Sequence, residues 1–110
     1  MVDESIVQRA AQCLLKEAPR GSMVILFGSH ARGQARPDSD LDFLVVEPEV
    51  RDRLAEAVRL RAALQGVLGS HLGPVDMVVV NRERFEYWSG AVNTLYHEAA
   101  REGRIYESAA

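Results

Sequence analysis

The chain of 110 residues lacks the features that define several classes of protein. Cys13 is its single cysteine, so no disulfide framework can form, and a reducing, cytoplasmic setting is expected. No apolar run approaches the roughly 18 residues of a membrane span, and residues 1–20 lack the profile of a signal peptide. The net charge of −3 argues against nucleic acid as the main partner, because proteins that bind it carry a basic excess.

The composition predicts one domain over residues 1–110. Hydrophobic residues make up 47% and charged residues 26%, which is the balance of an ordinary globular protein. The chain is too short for two domains and contains no repeat, low-complexity tract or dividing linker. Its core is small, so a partner protein or a second copy of the chain would be a natural stabiliser.

Apolar residues at helical spacing predict three helical regions. The first covers residues 3–18, the second about 49–68, and the third roughly 82–102 with a break near Ser89-Gly90. The inner face of the second helix is expected to hold Val50, Leu54, Ala57, Val58, Leu64 and Leu68. Its solvent side is expected to hold Arg51, Arg53, Arg59 and Arg61.

Short, continuous apolar runs predict three buried strands at 23–27, 41–47 and 75–80. Ile105-Tyr106 adds a short edge strand. The resulting order is helix, strand, strand, helix, strand, helix. This order is typical of an α+β (α/β) domain with a small mixed β-sheet flanked by helices.

Aspartates lie at the starts of two predicted strands. Alternate residues of a strand share a face, so Asp40 and Asp42 project together, and Asp76 joins them if the second and third strands are neighbours. Like charges at close range repel, and burial adds a desolvation cost. A hard divalent cation such as Mg²⁺ relieves both effects. The three carboxylates therefore predict a two-metal site for phosphoryl transfer.

A glycine-serine turn ends the first predicted strand. Gly28 allows close approach of the backbone to a ligand, and Ser29 supplies a hydroxyl and an N–H group to an anion. Arg32, and secondarily Arg36, would neutralise phosphate charge. A Gly-Ser or an Asp-x-Asp alone usually marks only a turn. Together, and followed by a strand aspartate, they predict a nucleotide site that is not a P-loop, because no Gly-Lys-Ser/Thr element is present.

Residues 27–46, FGSHARGQARPDSDLDFLVV, resemble the signature of the DNA polymerase beta-like nucleotidyltransferase superfamily. The Ser-x-Ala-Arg-Gly form of the loop and the short chain resemble its minimal nucleotidyltransferase (MNT) branch. The resemblance implies the minimal nucleotidyltransferase fold, with two Mg²⁺ ions held by Asp40, Asp42 and Asp76. It also implies that Asp76 helps to deprotonate an acceptor hydroxyl.

The same resemblance implies the substrate and the reaction. Gly28 and Ser29 would hold the β- and γ-phosphates of a nucleotide, ATP in the leading hypothesis, with Arg32 assisting. AMP would pass to a hydroxyl and pyrophosphate would leave. Proteins that resemble this chain commonly pair with helical HEPN toxins, which implies an antitoxin that modifies a tyrosine of its toxin. Two alternatives stay open: neutralisation by binding alone, and transfer to a small molecule or an RNA end.

Other residues are expected to have structural roles. Cys13 fits a buried small hydrophobe. His71 and His97 have no partners at metal-ligand spacing. His30 is either a solvated loop histidine or a contact to phosphate, the first being the simpler role. Apolar residues of the final segment serve either as a partner contact or as cover for the sheet, the second being the simpler role. They are Phe85, Trp88, Val92, Leu95 and Tyr96.

Overall fold

The fold is built on one four-stranded mixed sheet, and the computed structural model describes residues 4–28, 31–33, 40–91 and 94–107. The strands are β1 (Met23–Phe27), β2 (Leu41–Glu47), β3 (Val75–Asn81) and β4 (Arg104–Glu107), in the order β3-β2-β1-β4. β2 and β3 run parallel, whereas β1 is antiparallel to both β2 and β4. The predicted mixed sheet is confirmed, and β4 is the expected edge strand.

Helices connect and cover the strands. They are α1 (Glu4–Glu17), α2 (Arg53–Leu68), α3 (Arg82–Trp88) and α4 (Leu95–Glu102), with a 3₁₀ turn at Gly69–His71. The third predicted helical region is two helices, as expected from the break near Ser89-Gly90. α4 begins where the Thr94 hydroxyl accepts the backbone N–H of His97 at 3.1 Å, which is a side-chain cap. Across the described residues, no helix combines the length and the apolarity that crossing a membrane requires.

The sheet separates two apolar layers. Val24, Leu26, Phe43 and Val45 face α1 and α2 in the larger cluster of buried residues. The opposite face carries a smaller cluster, which α3 and α4 cover. Its buried members are Ile25, Leu44, Val46, Val80 and Ala99. Because strand side chains alternate, the even-numbered residues of β2 and β3, including Asp42 and Asp76, project on the α4 side.

The prediction for the inner face of α2 is wrong at two of its six positions. Leu64 and Leu68 are buried, but Leu54 is 80% exposed and Val58 is 69% exposed. The buried stripe also includes Leu60, which the prediction omitted. At about 100° per residue, Val58 lies about 200° around the helix from Leu60, which is nearly the opposite side. The arginines expected on the solvent side are all exposed.

A buried carboxyl group lies at the C-terminal end of β2. Glu47 is 1% exposed, and its Oε2 atom has no hydrogen-bond partner among the described residues. Burial, then a hydrogen bond to Glu56 and the negative charge of Glu56, raise the pKa of Glu47. Arg59 holds Glu56 through Nε–Oε1 contact at 2.6 Å. This cluster and Asp42 therefore lie at opposite ends of one strand.

The remaining structural expectations are confirmed for the described residues except Trp88, which is 39% exposed and is not packed on the smaller cluster. Cys13 is buried without a disulfide partner. His71 is exposed, and the Nδ1 atom of His97 contacts the backbone oxygen of Ser89 at 3.0 Å. Phe85 and Tyr96 pack on the smaller cluster and so help to cover the sheet. His30, Val92 and the side chain of Leu95 lie outside what the structure describes.

Candidate active site

The register of two parallel strands brings two of the predicted aspartates together. Asp42 of β2 is paired with Asp76 of β3, and both side chains project on the same face of the sheet. The negative charge of Asp76 acts on Asp42 and helps to raise its pKa. β1 lies on the other side of β2, where Phe27 is the register partner of Asp42. Gly28, which follows the last residue of β1, therefore lies directly beside this pair of carboxyl groups.

The third aspartate lies one residue before β2. Asp40 and Asp76 are exposed, whereas Asp42 is half-buried. The negative charge of Asp40 acts on Asp42, though less than that of Asp76 does. The three predicted carboxylates thus lie in one neighbourhood, with Asp42 at its centre.

The environment of Asp42 opposes its ionisation. Burial, followed by the negative charges of Asp76 and Asp40, a hydrogen bond to Asp76 and the charge of Glu98, raises the pKa of Asp42 from 3.8 to about 6. Every one of these causes penalises the carboxylate form. At neutral pH the site consequently holds negative charge, and no basic group among the described residues lowers the pKa of Asp42.

Gly28 lies in close contact with Asp42. Its φ of +76° belongs to the left-handed region, which glycine adopts without the steric cost of a side chain. A Cβ atom added there would lie 3.2 Å from Cγ of Asp42 and closer still to its Oδ2 atom. The turn continues with a hydrogen bond from the N–H of Arg32 to the Gly28 oxygen at 3.2 Å. Ser29 and Arg36 lie outside the described residues.

The guanidinium group of Arg32 contacts α4. Its Nη1 atom lies 3.5 Å from carboxylate oxygens of both Glu98 and Glu102. The guanidinium group of Arg32, which was predicted to bind phosphate, is therefore paired with protein carboxylates. Glu98 also acts on Asp42 through its charge. α4 is thereby linked to both the loop and the aspartates.

Glu98 and Glu102 are site residues that sequence reasoning missed. Their spacing of four residues in a predicted helix places them on one face, which is a visible signal. Nothing in the sequence connects that face to Arg32, because the ion pairs join residues 66 and 70 positions apart.

The carboxylate donors fit a divalent cation. Hard cations prefer carboxylate oxygen, and a cation beside Asp42 and Asp76 would compensate the charge that raises the pKa of Asp42. The absence of a side chain at Gly28 keeps the space against Asp42 open. Among the residues described, no three His, Cys, Asp or Glu side chains already stand together as a complete ligand set. Asp40 is exposed. It adds negative charge to the site but does not form a complete ligand set with Asp42 and Asp76.

Comparisons with known proteins agree with the fold. A family model described as a nucleotidyltransferase domain matches residues 7–101. A solved structure described as a minimal nucleotidyltransferase is 39% identical, with a TM-score of 0.63, and the match covers 94% of this chain and 95% of that one. A search of curated proteins returns no match.

Two more distant structures share the fold. One is a toxin–antitoxin structure with AMP-PNP, 20% identical, with a TM-score of 0.63 over 98% of this chain and 76% of that one. The other is the toxin–antitoxin MntA–HepT, 19% identical, with a TM-score of 0.61 over 96% of this chain and 74% of that one.

Proposed function

The chain belongs to the nucleotidyltransferase domain family, and we propose that it transfers AMP from ATP to a hydroxyl of a partner protein. The acceptor in this proposal is a tyrosine of a HEPN-type toxin, for which the chain is the antitoxin. The observation that carries the proposed chemistry is the Asp42–Asp76 carboxyl pair packed against the backbone of Gly28.

Each site residue has a role in this proposal. Asp40, Asp42 and Asp76 would hold two Mg²⁺ ions, which neutralise the triphosphate and polarise the reacting phosphate when bound. Asp76 takes the proton of the attacking hydroxyl. Gly28 and Ser29 present backbone N–H groups, and Ser29 its hydroxyl, to the β- and γ-phosphates. A bond forms between the acceptor oxygen and the α-phosphorus, and the bond from that phosphorus to the bridging oxygen breaks, so pyrophosphate leaves.

The proposed partner is supported by the fold relatives and by one exposed surface. Structures of the same fold include toxin–antitoxin pairs, one of them with AMP-PNP. On α3, Tyr87 is 75% exposed, and its ring meets that of Trp88 edge to face at 5.0 Å. Exposed aromatic residues are enriched where proteins bind one another. This pair is the contact surface that the proposal assigns to the toxin.

Labelling with ATP tests the proposed reaction. The chain is incubated with Mg²⁺ and a HEPN-type toxin, using ATP labelled in either the α- or the γ-phosphate. AMP transfer places the α-label, and not the γ-label, on the partner, and a chelator abolishes labelling. Transfer of the γ-label would contradict nucleotidyl transfer, since it reports a kinase. Labelling of RNA or a small molecule alone would replace the proposed acceptor.

Arg32 must exchange partners if it is to bind phosphate. The double variant Glu98→Gln, Glu102→Gln removes its two competing carboxylates and the negative charge they place near the triphosphate. Exposed ion pairs are worth roughly 0.2–1 kcal/mol each, so we expect the variant to bind a non-hydrolysable ATP analogue about fivefold more tightly. Isothermal titration calorimetry in the presence of Mg²⁺ measures the change.

A matched variant controls for net charge. Glu49→Gln with Glu107→Gln also removes two negative charges, but these residues follow β2 and end β4, at the far end of the sheet from Asp42. That control is expected to leave affinity nearly unchanged. Weaker binding by the Glu98, Glu102 variant would mean that these carboxylates assist nucleotide binding, contrary to the competition described here.

A further inference from the structure

A strip on the solvent side of α2, between Arg59 and Arg61, is apolar apart from Gln65. Leu54 and Val58 are 80% and 69% exposed, and Ala55, Ala62 and Gly66 are exposed beside them. A surface helix normally carries polar residues on the side away from the core, and a helix that is apolar all round is normally buried. The other side of α2 already packs on α1 and the sheet through its buried leucines. Within the part of the chain that the structure describes, this strip has no packing partner, and its largest side chains are exposed.

No charged side chain lies within this face. Arg59 and Arg61 border it, and both contact their own chain: Arg59 donates to the backbone oxygen of Glu17 at 2.9 Å, and Arg61 to that of Val75 at 3.1 Å. Like charges that face one another across a two-fold interface repel. A face without charge can meet a copy of itself even though the chain as a whole carries a net charge of −3.

The sizes of the side chains match an antiparallel pairing of two copies. Leu54, Val58, Ala62 and Gly66 follow one another at four-residue intervals, and each side chain is smaller than the one before. Such i, i+4 rows are the ridges that align in the commonest class of helix packing. In an antiparallel pair, Leu54 of one copy meets Gly66 of the second copy, and Val58 meets Ala62. Nothing lies within 4 Å of the position that a Cβ of Gly66 would occupy, so the face has a notch there for the leucine.

From this face we infer that the protein forms a two-fold symmetric dimer through antiparallel α2 helices. The interface is isologous, as in most dimers of identical chains. A 16-residue helix is about 24 Å long, and one helix face is smaller than the roughly 800 Å² per partner of a standard stable interface. The dimer is therefore weak and depends on concentration.

The dimer leaves the candidate active site open. α2 packs on the face of the sheet that carries Phe43 and Val45, whereas Asp42 and Asp76 project on the opposite face. The exposed Tyr87 belongs to α3, which covers that opposite face as well. Each copy can consequently bind nucleotide and a partner independently, and changes on α2 do not touch the catalytic residues.

Sedimentation equilibrium over a hundredfold range of concentration tests the dimer. The wild-type mass is expected to rise from that of one chain towards that of two, and Val58→Glu is expected to hold it at one chain, because two carboxylates then face one another. Val67→Glu is the matched control: the same change on the same helix, at a 54% exposed valine outside the face. That variant should dimerise like the wild type.

Disulfide formation tests the register of the pairing. Leu54→Cys and Gly66→Cys chains are mixed and oxidised, and the mixed disulfide is expected to form several-fold faster than either homodimeric one. Faster disulfide formation between two Leu54→Cys chains would mean that the helices pair in parallel, and it would overturn the antiparallel arrangement. The dimer is overturned if the wild type stays monomeric, or if Val58→Glu and Val67→Glu weaken dimerisation equally. It is also overturned if Val58→Glu dimerises like the wild type but no longer binds a HEPN-type partner, which would assign the face to that partner.

Discussion

Asp42→Asn is expected to abolish nucleotidyl transfer and, at the same time, to make the folded protein more stable. The loss of activity follows from the proposed role of this carboxylate in holding the metal ions. Metal-ion stabilisation of a transition state is worth several kcal/mol, and each 1.36 kcal/mol is tenfold in rate, so we expect a loss of about 10³-fold or more. The rate of α-label transfer measures it.

The gain in stability follows from the electrostatics of the site. The folded state raises the pKa of Asp42 from 3.8 to about 6, so stability is fully present below pH 3.8 and is lost as the pH rises towards 6. Asparagine does not ionise and avoids this loss. Allowing for the partial exposure of the side chain, we expect a gain of about 1–2 kcal/mol in the free energy of unfolding at pH 7.5.

Urea denaturation of both proteins at pH 7.5 and at pH 4 separates the effect from simple changes in packing. The increase in the free energy of unfolding caused by Asp42→Asn should be large at pH 7.5 and small at pH 4. Asp40→Asn is the control, because Asp40 is exposed and its replacement should lower activity while changing stability by only a few tenths of a kcal/mol. A less stable Asp42→Asn protein at pH 7.5 would contradict the opposition to ionisation described for this site.

The pairing of Asp42 with Asp76 was predictable because two independent patterns coincide. Continuous apolar runs indicate strands that are buried on both faces, as β2 and β3 are. An aspartate at the second position of each run then reaches the same edge when the strands are parallel and in register. The observed register, Leu41 with Val75 and Asp42 with Asp76, is the one that aligns the starts of the two apolar runs.

The orientation of α2 and the pairing of Arg32 were not predictable in the same way. Leucine, valine and alanine occur all round α2, so several stripes satisfy helical periodicity and the packing of α1 and the sheet decides which one is buried. The ion pairs of Arg32 depend on where α4 crosses the sheet. Local sequence patterns specify where helices and strands occur and which residues are apolar. The buried face of α2 and the ion pairs of Arg32 depend instead on how whole helices and strands pack together.

Gly28→Ala is expected to be far more damaging than Gly33→Ala, although both glycines have nearly the same backbone conformation. Their φ angles are +76° and +73°, so alanine at either position incurs a left-handed strain of roughly 1–2 kcal/mol. A Cβ at Gly33 meets nothing within 4 Å, while a Cβ at Gly28 meets the carboxyl group of Asp42. We expect Gly28→Ala to cost about 2–4 kcal/mol of stability in total.

The same contact predicts a loss of activity at only one of the two positions. The atoms nearest to an added Cβ at position 28 are those of the Asp42 side chain, so alanine there must displace its carboxyl group. A displacement of about 1 Å at a catalytic group can cost 10²-fold in rate. We therefore expect transfer to fall about 10²-fold in Gly28→Ala and to change little in Gly33→Ala, measured by the same labelling assay.

A double-mutant cycle isolates the contact between Gly28 and Asp42. Asp42→Ala removes Cγ and Oδ2 and leaves only Cβ, which would lie 3.5 Å from an added Cβ at position 28, an ordinary packing distance. In that background Gly28→Ala should cost no more stability than Gly33→Ala, since the strain of the backbone is all that remains. An unchanged cost would place the damage in the backbone conformation of the turn. A reduced cost would establish that the glycine is required because Asp42 occupies the space of its side chain, and that the turn and the carboxylates form one site.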